Sequence, residues 1–102
     1  MPYQVKLTAF ANKLGKKFAP DIKKEAKTAL KELSQNPNLG KELQAELSSF
    51  RSYRFLRYRI IYTIDTGNKL VIVWAIGRRR DIYETLNEHL LNYSPEDGSG
   101  IV

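Results

Sequence analysis

The sequence predicts an α+β domain with the element order β-α-α-β-β-β-α, its helices packed on a mainly antiparallel sheet. Apolar residues recur at helical spacing from Ala9 to Leu33, and from Phe50 the period changes to two. An Asn36-Pro37-Asn38 break and a Thr66-Gly67-Asn68 turn separate these stretches. With 102 residues, 42% of them apolar, the chain has room for one small domain. We place it at residues 1–93, followed by a flexible tail over 94–102 that contains Pro95, Gly98 and Gly100.

Tyr3, Val5 and Leu7 alternate with Gln4 and Lys6 as a short strand with one buried face. Thr8 suits the cap of a short helix carrying Ala9, Phe10 and Leu14, which breaks near Gly15 or after Lys17. Pro20 fits the first turn of a second helix, and Asp21 favours the positive end of its dipole. Ile22, Ala26, Ala29, Leu30 and Leu33 make its apolar stripe, while Lys23, Lys24, Lys27 and Lys31 form a solvated face. Residues 39–49 read as a polar connection with room for one helical turn. Phe50 to Phe55 and Tyr58 to Asp65 are strands around a tight turn at Leu56. On the second, Tyr58, Ile60, Tyr62 and Ile64 share one face, and Arg59, Ile61 and Thr63 the other. Leu70 to Ile76 is apolar throughout, as expected of a strand covered on both faces. Asp81 to Tyr93 resembles a short helix with Ile82, Leu86, Leu90 and Leu91 on one side. The first strand is expected to join the sheet beside a later one.

Several function classes are excluded. The chain has no cysteine, hence no disulfide scaffold, thiolate zinc site or Cys nucleophile. One His rules out a His-based metal cluster, and no cofactor is expected. No apolar run approaches the roughly 18 residues of a membrane span. Met1-Pro2-Tyr3-Gln4-Val5-Lys6 does not open a secretory signal, so the expected location is cytoplasmic, with no membrane partner.

The charge distribution is more informative than the net +6. All seven Arg lie between residues 51 and 80: Arg51, Arg54, Arg57, Arg59, Arg78, Arg79 and Arg80. With Lys69 and a single carboxylate, Asp65, that window carries +7, and the rest of the chain −1. Arg presents a planar fork of donors that matches phosphate oxygens. The bland reading, outward strand faces paired with carboxylates, lacks the carboxylates. A polyanion site fits better. In a meander these Arg become cross-strand neighbours on one patch, with Tyr53, Tyr58, Tyr62 and Tyr83 among them for base stacking. Tyr58 and Tyr62 alternate with the apolar face and read as core. Tyr53 fits either role, and Tyr83 sits just past the Arg cluster, where function is favoured.

Here a resemblance enters. Phe50-Arg51-Ser52-Tyr53-Arg54-Phe55-Leu56-Arg57-Tyr58-Arg59-Ile60-Ile61-Tyr62 resembles the central strands of the RelE/ParE toxin superfamily. Ala75-Ile76-Gly77-Arg78-Arg79-Arg80-Asp81-Ile82-Tyr83-Glu84 resembles its closing signature, usually small-apolar-Gly-His-Arg-x-Asp-apolar-Tyr. The likeness extends over residues 2–92 and is specific to the superfamily more than to one activity. It implies the microbial RNase-like fold and a toxin of a toxin–antitoxin pair. RelE-like members cleave mRNA in the ribosomal A site, and ParE-like members poison DNA gyrase on the same scaffold.

The resemblance favours a metal-independent, ribosome-dependent mRNA endonuclease (an mRNA interferase) that inhibits translation. The alternative is gyrase inhibition by protein contact. Expected partners are the ribosome, mRNA and a cognate antitoxin, acidic and partly disordered so as to cover the Arg patch. Arg59 matches the strand Arg used on the scissile phosphate. Arg79 matches the Arg of the closing motif, and Tyr83 the C-terminal Tyr near the reacting sugar. Arg51 and Arg54 occupy the strand that supplies further basic residues, and with Arg57, Arg78 and Arg80 they complete the expected RNA-binding set. Two departures stand out: Arg78 replaces the common His, and Leu56 the usual hairpin Gly.

Metal-free RNA cleavage needs an activated 2′-oxygen, charge relief on the phosphorane and protonation of the leaving 5′-oxygen. Arg59 and Arg79 suit the second role. A phenol becomes a base only where positive charge lowers its pKa from about 10, which an Arg-rich site favours. That makes Tyr83 the candidate base. His89 lies on the last helix away from the motif, and Asp81 and Glu84 read as salt-bridge partners of the Arg cluster.

Overall fold

A computed structural model describes residues 2–78 and 81–91. Arg79, Arg80 and the expected tail over 94–102 lie outside the described residues.

Thr8 separates the first strand, β1 (Gln4–Leu7), from the first helix, α1 (Ala9–Gly15). Its hydroxyl accepts from the Ala11 N–H at 3.1 Å, satisfying a donor that the helix N-terminus otherwise leaves unpaired. α2 (Pro20–Gln35) starts with Pro20, whose missing N–H is harmless there, and has Asp21 in its first turn. The predicted stripe packs: Ala26, Ala29 and Leu33 are buried, and Ile22 and Leu30 half-buried.

The connection after α2 holds more structure than its composition suggests. Two short 3-10 turns, Pro37–Leu39 and Ala45–Leu47, flank a two-residue strand, β2 (Lys41–Glu42). Tertiary contacts make this strand. The Tyr62 hydroxyl accepts from the Gly40 N–H at 2.9 Å and donates to the Pro37 carbonyl at 2.6 Å. A side chain at Gly40 would put its Cβ 2.6 Å from that hydroxyl, so only glycine allows the approach.

β3 (Arg51–Phe55), β4 (Tyr58–Asp65) and β5 (Leu70–Arg78) form the antiparallel meander. β1 joins β5 in parallel, and the sheet order is β1-β5-β4-β3-β2. The register between β4 and β5 slips at Trp74: Tyr62 pairs with Val73, and Ile61 with Ala75. β5 is apolar throughout because both its faces are packed, and the β-bulge changes which face its residues take from Trp74 onward. Val71, Val73 and Ile76 pack toward α2 with Ile60 and Tyr62, whereas Trp74 and Ala75 pack on the opposite side with Phe50 and Ile61.

The last helix, α3 (Asp81–Leu91), covers that second side through Ile82 and Leu86, so helices clothe both faces of the sheet. A Cβ at Gly77 would meet Ile82 Cδ1 at 2.8 Å, which shows how closely α3 approaches β5. Leu91, expected on the apolar side, is instead 78% exposed. Nine residues past Ile82 at about 100° each puts it half a turn away from the packed face. Among the described residues no helix is long and apolar enough to cross a membrane.

Candidate functional site

The pleat of β3 and β4 decides which cations meet. Arg54 pairs directly with Arg59, on the same face as Ser52 and Ile61. On its other flank Arg59 pairs with Gly77, which has no side chain to fill the space beside it. α3 begins shortly after Gly77, and its third residue is Tyr83. The Tyr83 hydroxyl lies 3.1 Å from Ser52 Oγ. At the sheet edge Lys41 pairs with Ser52, bringing an ammonium group to the same side. Lys41, Ser52, Arg54, Arg59 and Tyr83 line a cleft of about 450 Å³ together with Glu42 and Tyr53, and Leu39 and Leu43 supply apolar wall.

The cleft is mainly cationic: Lys41, Arg54 and Arg59 line it against the carboxylate of Glu42. Like charges directly opposite each other on a sheet destabilise it, and Arg54 and Arg59 are such a pair. Arg54 Nε donates to the Leu56 carbonyl at 3.3 Å. Among the described residues the one ion pair is Arg51–Glu42 at 3.3 Å, so neither cleft Arg has a carboxylate partner there. Asp81 and Glu84, expected to pair with the Arg cluster, sit exposed in the first turn of α3, where negative charge suits the helix dipole. Neither forms an ion pair with Arg54, Arg57, Arg59 or Arg78.

The expected common patch therefore needs correcting. Arg51 pairs with Tyr62 and faces the α2 side. Its Nη1 donates to the Gly40 carbonyl at 2.6 Å, and Nη2 reaches Glu42 at 3.3 Å, so it fastens β2 to β3. Arg78 ends β5 opposite Tyr58, exposed, and Arg57 is exposed in the hairpin turn. Of the expected set, the structure brings Arg54, Arg59 and Tyr83 together. Arg79 and Arg80 lie outside the described residues.

The other tyrosines have structural roles. Tyr53 donates to Glu32 Oε1 at 2.7 Å, a bond from β3 to α2 that raises the Tyr53 pKa, with burial adding to it. Tyr62 is fully buried, which pushes its pKa up against the lowering effect of its bond from Gly40. Tyr58 stacks on Phe55, ring centroids 5.4 Å apart. The His89 ring lies flat on Phe10 at 4.0 Å, packed between α3 and α1. Among the described residues no three His, Asp or Glu side chains are grouped to hold a metal ion.

Two cleft residues were not anticipated, Ser52 and Lys41. Ser52 had a signal, because it stands two residues before Arg54 on a strand and shares its face. Lys41 had none, since two residues cannot display a period.

A search of curated protein sequences finds no match. The family profile described as the ParE toxin of a type II toxin–antitoxin system, parDE, matches residues 6–83. The structure resembles the toxin–antitoxin complex RelBE2 of Mycobacterium tuberculosis at 31% identity and TM-score 0.74, covering 78% of this chain and 93% of that one. A mutant of E. coli RelE in the free state matches with TM-score 0.71 at 17% identity, covering 88% and 99%. The archaeal RelE–RelB complex of Pyrococcus horikoshii gives 0.64 at 18%, covering 78% and 98%. The last two likenesses speak for the fold alone. Profile, fold and the identity to the mycobacterial complex agree: the chain belongs to the RelE/ParE family of toxins of type II toxin–antitoxin systems.

Proposed function

We propose that this toxin is a metal-independent, ribosome-dependent mRNA endonuclease that inhibits translation and is neutralised by a cognate antitoxin. The observation that carries the reading is the facing pair Arg54–Arg59 with the Tyr83 hydroxyl held by Ser52 in the same cleft. Two facing guanidinium groups match the non-bridging oxygens of one phosphate, and their charge is worth most when the phosphorane develops. Tyr83 then stands at the attacking 2′-oxygen, and its bond to Ser52 fixes the direction of the hydroxyl. Attack forms the bond from the 2′-oxygen to phosphorus and breaks the bond to the 5′-oxygen, leaving a 2′,3′-cyclic phosphate and a 5′-hydroxyl. Arg79, two residues past Gly77 in sequence, is the proposed further guanidinium. Arg57, Arg78 and Arg80 are proposed to serve affinity for the RNA backbone.

An antitoxin partner is supported by the solved toxin–antitoxin complexes to which the chain is similar. Charge gives its chemistry: an acidic segment would supply carboxylates to Arg54 and Arg59, which pair with none among the described residues. The test is cleavage of mRNA on programmed ribosomes, with mapping of the new ends and a gyrase supercoiling assay alongside. The expected result is cutting in the ribosomal A site, abolished by Arg59→Ala, with supercoiling untouched. Intact mRNA together with blocked supercoiling would overturn it in favour of gyrase inhibition.

A further inference from the structure

We propose that Leu39 and Leu43 form a nucleobase subsite, which takes the flat face of one of the two bases flanking the scissile phosphate. The inference rests on the nuclease reading and names a contact that no motif carries. The two ends of the cleft differ in chemistry. At the inner end Arg54 and Arg59 face each other, with Gly77 beyond Arg59. At the outer end, on the edge strand and beside it, stand Leu39, Lys41, Glu42 and Leu43. Lys41 and Glu42 bring opposite charges, so this end has two leucines and a balanced pair. Leu43 is accounted for by the fold, since it is half-buried and packs on the cluster of Phe50 and Ile61. Leu39 is not: it is 45% exposed and, among the described residues, belongs to neither core cluster. A lone exposed leucine needs no explanation, but this one lines a cleft beside two guanidinium groups.

The register gives Leu39 its place. Lys41 pairs with Ser52, and in an antiparallel ladder each step back along β2 is a step forward along β3. Gly40 is extended and still follows β3, because a Cβ there would lie 2.9 Å from the Ser52 carbonyl oxygen. One residue further back, Leu39 comes level with Arg54 on the outer side of the sheet. A nucleotide is divided in the same way, into an anionic phosphate and an uncharged base with apolar faces. The cleft of about 450 Å³ falls within the roughly 300–1,000 Å³ of sites that hold small-molecule ligands, far more than one phosphate fills. With the phosphate on the Arg pair, the space that remains is walled by the leucines. Single-stranded RNA is commonly bound by this division, with positive charge for the backbone and a flat apolar contact for the bases. A base is favoured over an antitoxin side chain because it arrives covalently tied to the phosphate. Leucine reads no base edge, so the subsite supplies affinity and leaves the choice of codon open.

The experiment measures cleavage on programmed ribosomes at subsaturating toxin with three mRNAs. One has the intact codon. In the others the nucleotide 5′ or 3′ of the scissile phosphate is abasic but keeps its 2′-hydroxyl. Wild type should cut one of the abasic mRNAs roughly 10-fold more slowly than the intact one, the size of a single base contact. Leu39→Ser should lose roughly the same 10-fold on the intact mRNA and nothing further on that abasic one, as expected when both changes remove one contact. Leu39→Met, which restores an apolar side chain, should recover most of the loss. Leu39 is the residue to change because its exposure spares the fold. Equal slowing of all three mRNAs by Leu39→Ser, or a wild type indifferent to both abasic positions, would overturn the proposal. Full cleavage by Leu39→Ser would overturn it too, and loss of antitoxin inhibition in that variant would make Leu39 an antitoxin contact. A wild type that leaves every mRNA intact while blocking gyrase would remove the nuclease reading, and this inference with it.

Discussion

On the α2 side of β3, Arg51 ends on the Gly40 carbonyl and Glu42, and Tyr53 ends on Glu32. On the α3 side of the same strand, Arg54 faces Arg59, and among the described residues neither meets a carboxylate. Alternate residues of one five-residue strand thus divide between holding the fold and opposing it. The identity of a residue does not decide which, because Arg stands on both sides. What differs is the acceptor. A guanidinium with a backbone carbonyl and a carboxylate in place is a fastening, and its removal leaves those groups without their partner. A guanidinium set against another guanidinium raises the free energy of the empty fold and lowers it only when an anion arrives.

The sharpest way to break this comparison is to remove one Arg from each side. Arg59→Ala should lower cleavage by roughly 10²- to 10³-fold, as for loss of a donor aimed at developing charge. Its melting temperature should hold or rise slightly, because a like-charge contact is relieved. Arg51→Ala should do the opposite, costing about 1.5–3 kcal/mol for a charged hydrogen bond while leaving turnover per folded molecule intact. Thermal unfolding and single-turnover cleavage on both variants decide it. A folded Arg51→Ala protein that cannot cut RNA would erase the distinction between the faces.

The tyrosines sharpen the same contrast at a smaller scale. Tyr83→Phe keeps the packing on α3 and removes one part-buried hydrogen bond, so stability should fall by only about 1 kcal/mol. Cleavage should fall by roughly 10²-fold if the hydroxyl acts on the 2′-oxygen. Tyr62→Phe strips a partner from the Gly40 N–H and from the Pro37 carbonyl, both beside a buried ring. The expected loss is about 2 kcal/mol of stability, with the folded fraction still active. Chemical denaturation and cleavage rates at matched folded fraction separate the two.

Much of this was legible because the elements are long enough to show a period. β4 has eight residues, and its two faces read correctly from alternation alone. The cap at Thr8 and the Pro20 start were legible because each is a local contact. Three things were not. β2 is made by the Tyr62 hydroxyl and the Arg51 guanidinium reaching back to Gly40, contacts more than ten residues apart in sequence. The bulge at Trp74 is invisible in a run that is apolar on both faces, yet it sets Gly77 opposite Arg59. Arg51 was grouped with Arg54 by charge, although three positions along a strand place them on opposite faces.

Alkaline titration extends the contrast to the tyrosines of the α2 side. Burial raises the Tyr62 pKa, and the bond to Glu32 raises that of Tyr53. Between the unfolded value of about 10 and the higher folded value, the native state binds more protons than the unfolded chain. Their stabilising contribution is therefore complete below about pH 10 and is lost as pH rises through the folded values. Urea midpoints from about pH 8 to 11 should fall only at the upper end, and less steeply in Tyr62→Phe. A midpoint independent of pH there would mean that the Tyr62 environment does not favour the phenol over the phenolate.

The smallest expected effect lies at the hairpin tip, where β3 hands over to β4 and the two faces meet. Leu56 has φ of +51° and is 54% exposed, so it occupies the left-handed region without burying its side chain fully. An L-residue there costs roughly 1–2 kcal/mol, and glycine relieves that strain. Glycine also gives the unfolded chain more freedom, which takes back about 0.5–1 kcal/mol. The net for Leu56→Gly is a gain of about 0.5 kcal/mol, visible as a higher denaturation midpoint. The Leu56 carbonyl that accepts from Arg54 Nε is backbone and survives the change, so the Arg54 guanidinium keeps its anchor and cleavage should not move. Greater stability with unchanged cutting would show that the tip serves only to turn the chain. Greater stability with slower cutting would place the exposed leucine in contact with the ribosome or the RNA and extend the functional face to the hairpin.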